Sequence, residues 1–291
     1  MRLTKKIIQH SASLYAASYS EKLDLLFTGG ADKIVASWNP NNYENTNFSI
    51  KTQSAVLNLN VINEQHLFIG LFNGHFHIID LDSKKEIKFI TKHKKGIYAS
   101  CINSKNKYLL VGSGDGALSI WDTEKFELVL EQKICEGKIR AIATNNDLAY
   151  IGTSDGKLLV VNLLDLTLIK SIQINDEGLS SIVHLTEKNA LLLGGKNAWL
   201  YIFEESKSKV IHSFPAHNWA IYQLCQNDNY IFSASRDKVI KQWDKKTLGV
   251  VDKLCWPEHK GHTHSINNLL FINKHNTLVS VGDDKAICFW K

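Results

Sequence analysis

Residues 112–122 read Gly112-Ser113-Gly114-Asp115-Gly116-Ala117-Leu118-Ser119-Ile120-Trp121-Asp122. Asp115-Gly116 is a two-residue hairpin signal, because glycine accepts the positive φ that such a turn demands. Alternating Leu118 and Ile120, then aromatic Trp121, suit a strand leaving the turn. The pattern recurs along the chain. An Asp or Asn six residues ahead of an apolar or aromatic residue occurs at Asp32/Trp38, Asn73/Ile79, Asp115/Trp121, Asp155/Val161, Asn197/Phe203, Asp237/Trp243 and Asp284/Trp290. Successive anchors are 41, 42, 40, 42, 40 and 47 residues apart.

A period of about 40–45 residues with several short strands per unit is the mark of propeller blades. The chain resembles the WD-repeat (WD40-type) β-propeller family over essentially its whole length. The dipeptide survives as Trp121-Asp122 and Trp243-Asp244, with Trp38-Asn39 in the first unit. The family's glycine–histidine pair is literal at Gly261-His262, and His10, His93 and His217 stand 22, 22 and 20 residues before their anchors.

Each unit opens with an apolar strand, as in Gly96-Ile97-Tyr98-Ala99 and Ala220-Ile221-Tyr222-Gln223. Its second position is Leu, Val or Ile in every copy, as a buried inner strand requires, while its third varies. A second strand, such as 107–112 or 229–233, leads to the anchor turn and third strand. A fourth, more polar strand closes the unit, as at 86–91, 127–133, 168–174 and 209–214. The Asn-rich stretch 39–47 fits a loop. With no helical period, the fold class is all-β: a seven-bladed propeller of four-stranded antiparallel blades. One domain is expected over 1–291, with blades near 10–53, 54–92, 93–134, 135–175, 176–215, 216–255 and 256–291 plus 1–9. The last unit lacks its own fourth strand. Residues 3–9 are expected to supply it, closing the ring and covering an exposed sheet edge.

The 291 residues carry 34 basic and 29 acidic side chains, a net +5 spread along the chain, which is only weak evidence for nucleic acid. Five cysteines without a Cys-x-x-Cys pair are no disulfide framework; Cys101 and Cys225, each three residues past a Tyr, read as small core residues. No apolar run is long enough for a signal peptide or a membrane helix, so a reduced, cytoplasmic protein is expected.

The resemblance implies a buried hydrogen-bonded set of His, Ser/Thr, Asp and Trp within a blade. Blade 1 matches with His10, Thr28, Asp32 and Trp38. Blade 6 has His217, Ser233, Asp237 and Trp243, and blade 7 has His262, Ser280, Asp284 and Trp290. Blade 3 keeps His93, Asp115 and Trp121, but Val111 replaces the hydroxyl; blades 2, 4 and 5 lack the His and the Trp. Repetition of the grouping favours a structural role over a catalytic triad, which needs an exposed nucleophile. Gly112-x-Gly114-x-Gly116 turns strand to strand, unlike a phosphate loop. The stretch 258–264, Glu-His-Lys-Gly-His-Thr-His, has the look of a metal cluster but reads as a lengthened solvated loop. No catalytic residue, metal or cofactor is expected.

In the resembled family, the face bearing the anchor turns and the opening-strand ends carries most partner contacts. The variable third opening positions and the residues before each anchor supply Tyr15, Leu57, Phe72, Tyr98, Arg140, Lys196, Tyr222 and Arg236. Aromatics and Arg are typical interface hot spots. These residues are therefore the expected partner-binding set, for a protein or peptide, acidic or phosphorylated. The expected function is a non-catalytic scaffold or adaptor. A propeller enzyme acting on a small molecule at the channel mouth, and a nucleic-acid-binding propeller, stand as alternatives.

Overall fold

The computed structural model describes residues 1–291, the side chain of Glu187 lying outside the description. Among the described residues, seven four-stranded antiparallel sheets form. The chain is a seven-bladed β-propeller. Blade 1 runs Leu14–Ser20, Leu25–Gly30, Ile34–Trp38 and Asn45–Lys51; blade 2 runs Val56–Ile62, His66–Leu71, Phe76–Asp80 and Lys85–Ile90. Blade 3 comprises Ile97–Asn103, Tyr108–Ser113, Ala117–Asp122 and Leu128–Lys133. Blade 4 comprises Ile139–Asn145, Leu148–Thr153, Lys157–Asn162 and Leu168–Gln173. Blade 5 comprises Leu179–Leu185, Ala190–Gly195, Trp199–Glu204 and Lys209–Pro215, and blade 6 Ile221–Gln226, Tyr230–Ser235, Ile240–Asp244 and Val250–Leu254. Blade 7 takes Ile266–Ile272, Thr277–Gly282 and Ile287–Trp290 from the end of the chain, and Leu3–Ile7 from its beginning.

Burial explains the strand order. The second and third strands are almost wholly buried, as in Leu109, Leu110, Val111, Leu118 and Ile120 of blade 3. Outer strands are exposed, with Ile87, Leu128 and Leu168 facing solvent. The fourth strands are thus held by pairing and β-propensity more than by burial.

The residues sort into two compact units, Met1–Leu59 with His217–Lys291, and Asn60–Ala216. In the first, Leu14, Leu26, Trp38, Val281, Ile287 and Phe289 share a core, with Ile7 packed among them. In the second, Leu110, Ile120, Ile139, Ile151 and Val161 share one. Each core joins facing sides of consecutive sheets, so no sheet buries its apolar face alone.

The expectation for residues 39–47 needs correction. The fourth strand of blade 1 begins at Asn45, which pairs with Trp38. Asn47 adopts φ 60°, and its N–H donates to Asn45 Oδ1 at 2.9 Å. A local side-chain turn lets three polar residues start a strand that composition assigns to a loop. Among the described residues, no helix is long and apolar enough to cross a membrane.

The first strand pairs antiparallel with Ile287–Trp290, matching Lys6 to Cys288 and Ile7 to Ile287. Thr4 Oγ1 donates to Phe289 O at 3.0 Å, and Lys6 Nζ to Gly261 O at 2.8 Å. Deleting residues 1–9 should cost about 2–4 kcal/mol, through lost burial of Ile7 and lost strand bonds. Thermal melting of the truncated chain reads this; an unchanged melting temperature refutes it.

Candidate functional site

The anchor turns are built by side-chain oxygen. Asp115 Oδ1 accepts the Ala117 N–H at 3.0 Å, and Oδ2 accepts the Lys94 N–H at 2.8 Å. One carboxylate thus folds its own turn and pins the loop that enters the blade. Asp237 does the same with Val239 (3.1 Å) and Asn218 (3.0 Å), and Asp284 with Ala286 (3.3 Å) and Thr263 (3.0 Å). The residue after the anchor takes positive φ: Gly116 at 83°, but also Lys33 at 64° and Lys238 at 72°. Gly116 is required for a further reason, since a Cβ there would lie 2.0 Å from Cys135 O.

Behind three of these turns stands a buried relay. His10 Nδ1 lies 2.6 Å from Asp32 Oδ2, its Nε2 lies 2.9 Å from Thr28 Oγ1, and the Trp38 indole N–H donates to the same hydroxyl at 2.8 Å. In blade 6, His217 lies 2.9 Å from Asp237 and 2.7 Å from Ser233, which accepts from Trp243 at 2.8 Å. In blade 7, His262 lies 2.7 Å from Asp284 and 2.8 Å from Ser280, which accepts from Trp290 at 2.9 Å. Each hydroxyl is fully buried, so these sets are internal struts with no nucleophile open to a substrate.

Blade 3 corrects the reading that Val111 removes the hydroxyl. Ser119 supplies it from the neighbouring strand. His93 Nε2 lies 2.8 Å from Ser119 Oγ, and Trp121 Nε1–H donates to that oxygen at 2.8 Å. Val111 and Ser119 are directly paired across the ladder, as Thr28 and Ala36 are in blade 1. Hydroxyl and apolar group have exchanged strands while staying on one face. Alternation from Trp121 to Ser119 was the available signal. The exchange loosens the acid contact: His93 Nδ1 stands 3.6 Å from Asp115 Oδ1. Blades 4 and 5 place Cys135 and Asn175 where the chain enters; Asn175 Oδ1 accepts the N–H groups of Glu177 and Gly178 at 2.9 and 2.8 Å, fixing its own loop.

The charge states divide accordingly. Burial lowers the His93 pKa below the usual imidazole range, and distant Asp115 does not offset it. Burial opposes protonation of His262 too, but the Cys288 sulfur and close Asp284 carboxylate outweigh it and raise the ring to about 9.

The third opening position has a structural cause. Register shifts occur between Leu14 and Ala16, Ile97 and Ala99, Ile139 and Ala141, Leu179 and Ser181, Ile221 and Gln223, and Ile266 and Asn268. Tyr15, Tyr98, Arg140, Ser180, Tyr222 and Asn267 are therefore bulge residues, outside the ladder. Two of them are used internally. Ser180 Oγ donates to Gly194 O at 3.2 Å, and Asn267 Nδ2 to Leu14 O and Asp283 Oδ1, both at 2.8 Å. Tyr15, Tyr98, Arg140 and Tyr222 stay half-exposed, as does Leu57. Phe72 is 58% exposed.

Within residues 60–216, Arg140 lies over the Tyr98 ring, with Cζ 4.6 Å from its centroid, and Lys138 Nζ lies 5.6 Å from it. The ring lies against Gly114, where a Cβ would come within 2.8 Å of it. Lys196 belongs to this group: its pKa is lowered by burial, then by the charges of Arg140 and Lys138. In the other unit, Arg236 Cζ lies 4.5 Å from the Trp219 ring centroid, and Trp219 is 54% exposed. They border a cavity of about 400 Å³, with Asn218, Asp237, Lys238, His264 and Ser265. Sequence reading missed Lys138 and Trp219, although each lies two or three residues from a position it named.

The description "WD domain, G-beta repeat" matches residues 84–122, 208–244 and 254–291. Those three stretches are similar to WD repeats. The chain is similar to the WD repeat-containing protein 55 homolog of Dictyostelium discoideum, 23% identical over 78% of this chain and 55% of the relative. It is also similar to Protein tipD of the same organism, 22% identical over 99% of this chain and 48% of the relative. Shk1 kinase-binding protein 15 of Schizosaccharomyces pombe is 24% identical over 52% of this chain and 43% of its own. The chain thus spans about half the length of the curated relatives it matches.

Two tests follow from the blades. Ser119→Ala should cost about 1–3 kcal/mol, leaving the His93 ring and Trp121 indole unpartnered. Adding Val111→Thr should recover most of that loss, because the paired position restores the hydroxyl. Denaturant unfolding of the single and double variants measures both, and a double variant no better than Ser119→Ala refutes the exchange.

Proton NMR titration should find the His262 ring charged at pH 7.5 and the His93 ring neutral. A histidine raised on folding stabilises fully below its unfolded pKa of about 6.5 and loses that contribution as pH rises through its folded value. The His262 contribution should therefore decline between pH 6.5 and 9. The lowered His93 has the opposite sign, weakening the fold as pH falls below about 6.5. Identical titration of the two rings would overturn this assignment.

Proposed function

We propose that this protein is a non-catalytic scaffold that docks a protein or peptide segment of acidic or phosphorylated character. The observation that carries the reading is the placement of Lys138 and Arg140 over Tyr98, with Lys196 close enough to feel both charges. Like charges brought together raise the free energy of the folded chain, and an anion relieves it. Arg140 offers a planar fork to carboxylate or phosphate, and Tyr98 offers flat contact area at low entropic cost. The Arg236–Trp219 pair repeats the combination in the other unit. A relative named for kinase binding is consistent with a protein partner. The dispersed charge and single-aromatic clusters give less support to nucleic acid, which favours continuous basic tracks with stacked aromatics.

Fluorescence anisotropy with acidic and phosphorylated peptide pools tests this. The double substitution Arg140→Glu, Arg236→Glu should weaken binding at least about 10-fold, the loss of one charged contact or more, with little change in melting temperature. Lys88→Glu with Lys170→Glu, on outer strands, should change it less than about 2-fold. Equal affinity in both doubles places the surface elsewhere, and a preference for oligonucleotides over peptides refutes the reading.

A further inference from the structure

Cys255, Glu258 and His259 follow strand Val250–Leu254, in the segment that makes the last anchor spacing the longest. The chain there closes into a tight turn that contains the cis Trp256–Pro257 peptide bond. The His259 N–H donates to Cys255 O at 2.9 Å, and the Lys260 N–H to Pro257 O at 3.3 Å. The thiol sulfur, a carboxylate oxygen and an imidazole nitrogen lie within 4.8 Å of one another. Cys255 Sγ is 3.9 Å from Glu258 Oε2, and His259 Nδ1 faces the Cys255 amide at 3.4 Å.

We infer that this turn binds a zinc ion through Cys255, Glu258 and His259, with water in the fourth position. Tetrahedral bonds of about 2.0–2.3 Å set ligand atoms roughly 3.5 Å apart, so closure needs side-chain movements of about 1 Å. The turn permits them, since Glu258 is exposed and Cys255 and His259 are half-buried. A metal at Nδ1 would replace only the long contact to the Cys255 amide. Mixed sulfur, nitrogen and oxygen donors suit zinc and exclude calcium and magnesium, which take oxygen ligands. Without a cation, burial and the neighbouring Glu258 carboxylate raise the Cys255 thiol pKa. A bound divalent ion reverses that sign and releases the thiol proton, so affinity should rise with pH. His262, three residues further on, is held by Asp284 and Ser280 and takes no part.

The test is calorimetric titration of the tag-free, chelator-treated full chain with zinc, and with cobalt as a spectroscopic probe. One saturable site with a thiolate-to-cobalt charge-transfer band is expected. Cys255→Ser and His259→Ala should each weaken zinc about 10-fold or more. His264→Ala, a neighbouring histidine outside the trio, should leave affinity unchanged. Melting of the metal-free variants checks their folding, and Glu258→Gln on the exposed side serves as the third probe. Absence of saturable binding, a cobalt complex without the thiolate band, or binding that survives both Cys255→Ser and His259→Ala overturns the assignment.

Discussion

The anchor carboxylate is the constraint on which each complete blade depends. One oxygen of Asp32, Asp115, Asp237 or Asp284 shapes the turn between the second and third strands, and a carboxylate oxygen also holds the amide after the histidine. Chain segments some twenty residues apart are thereby fixed to a single group. Burying it is unfavourable in isolation, and hydrogen bonds from two amides, joined in blades 1, 6 and 7 by an imidazole, offset the lost water. The depressed pKa of Asp237, where burial works against ionisation and His217 leads the opposing contacts, records that balance. Trp and hydroxyl then extend the network into the apolar core, where polar atoms need a partner on every side.

Most of the fold was legible because its information is periodic. Strand positions follow from an anchor and a fixed count, and the completing strand follows from one unit lacking its fourth. Boundaries such as 107–112, found as Tyr108–Ser113, moved by a residue or two, since ladder ends depend on local hydrogen bonds. Legibility failed where the determining contact crosses between strands or is local. The Ser119 hydroxyl serves His93 only because the ladder sets it opposite Val111. Asn45 begins a strand because its own side chain makes the bend. Trp219 and Lys138 adjoin named positions, but their stacking partners are set by packing that no one-dimensional count contains.

The basic groups illustrate how a sheet protein tolerates unfavourable charge. Lys196 lies partly buried beside two other cations, yet its backbone belongs to a turn whose N–H donates to Gly178 O at 2.9 Å. The backbone scaffold is stable enough to hold the side chain against its electrostatic preference. Comparable strain on a flexible loop would relax by moving the loop.

The bulges at the start of the opening strands separate two kinds of heredity. A residue within the ladder answers to neighbours on both sides, so changing it forces changes across the sheet. Tyr98 or Arg140, standing outside the ladder, is exempt from that negotiation. Substitutions there leave the ladder's own pairing in place. Where the bulge residue is not tied inward, as Ser180 and Asn267 are, the blade carries a side chain that the sheet does not need for its pairing.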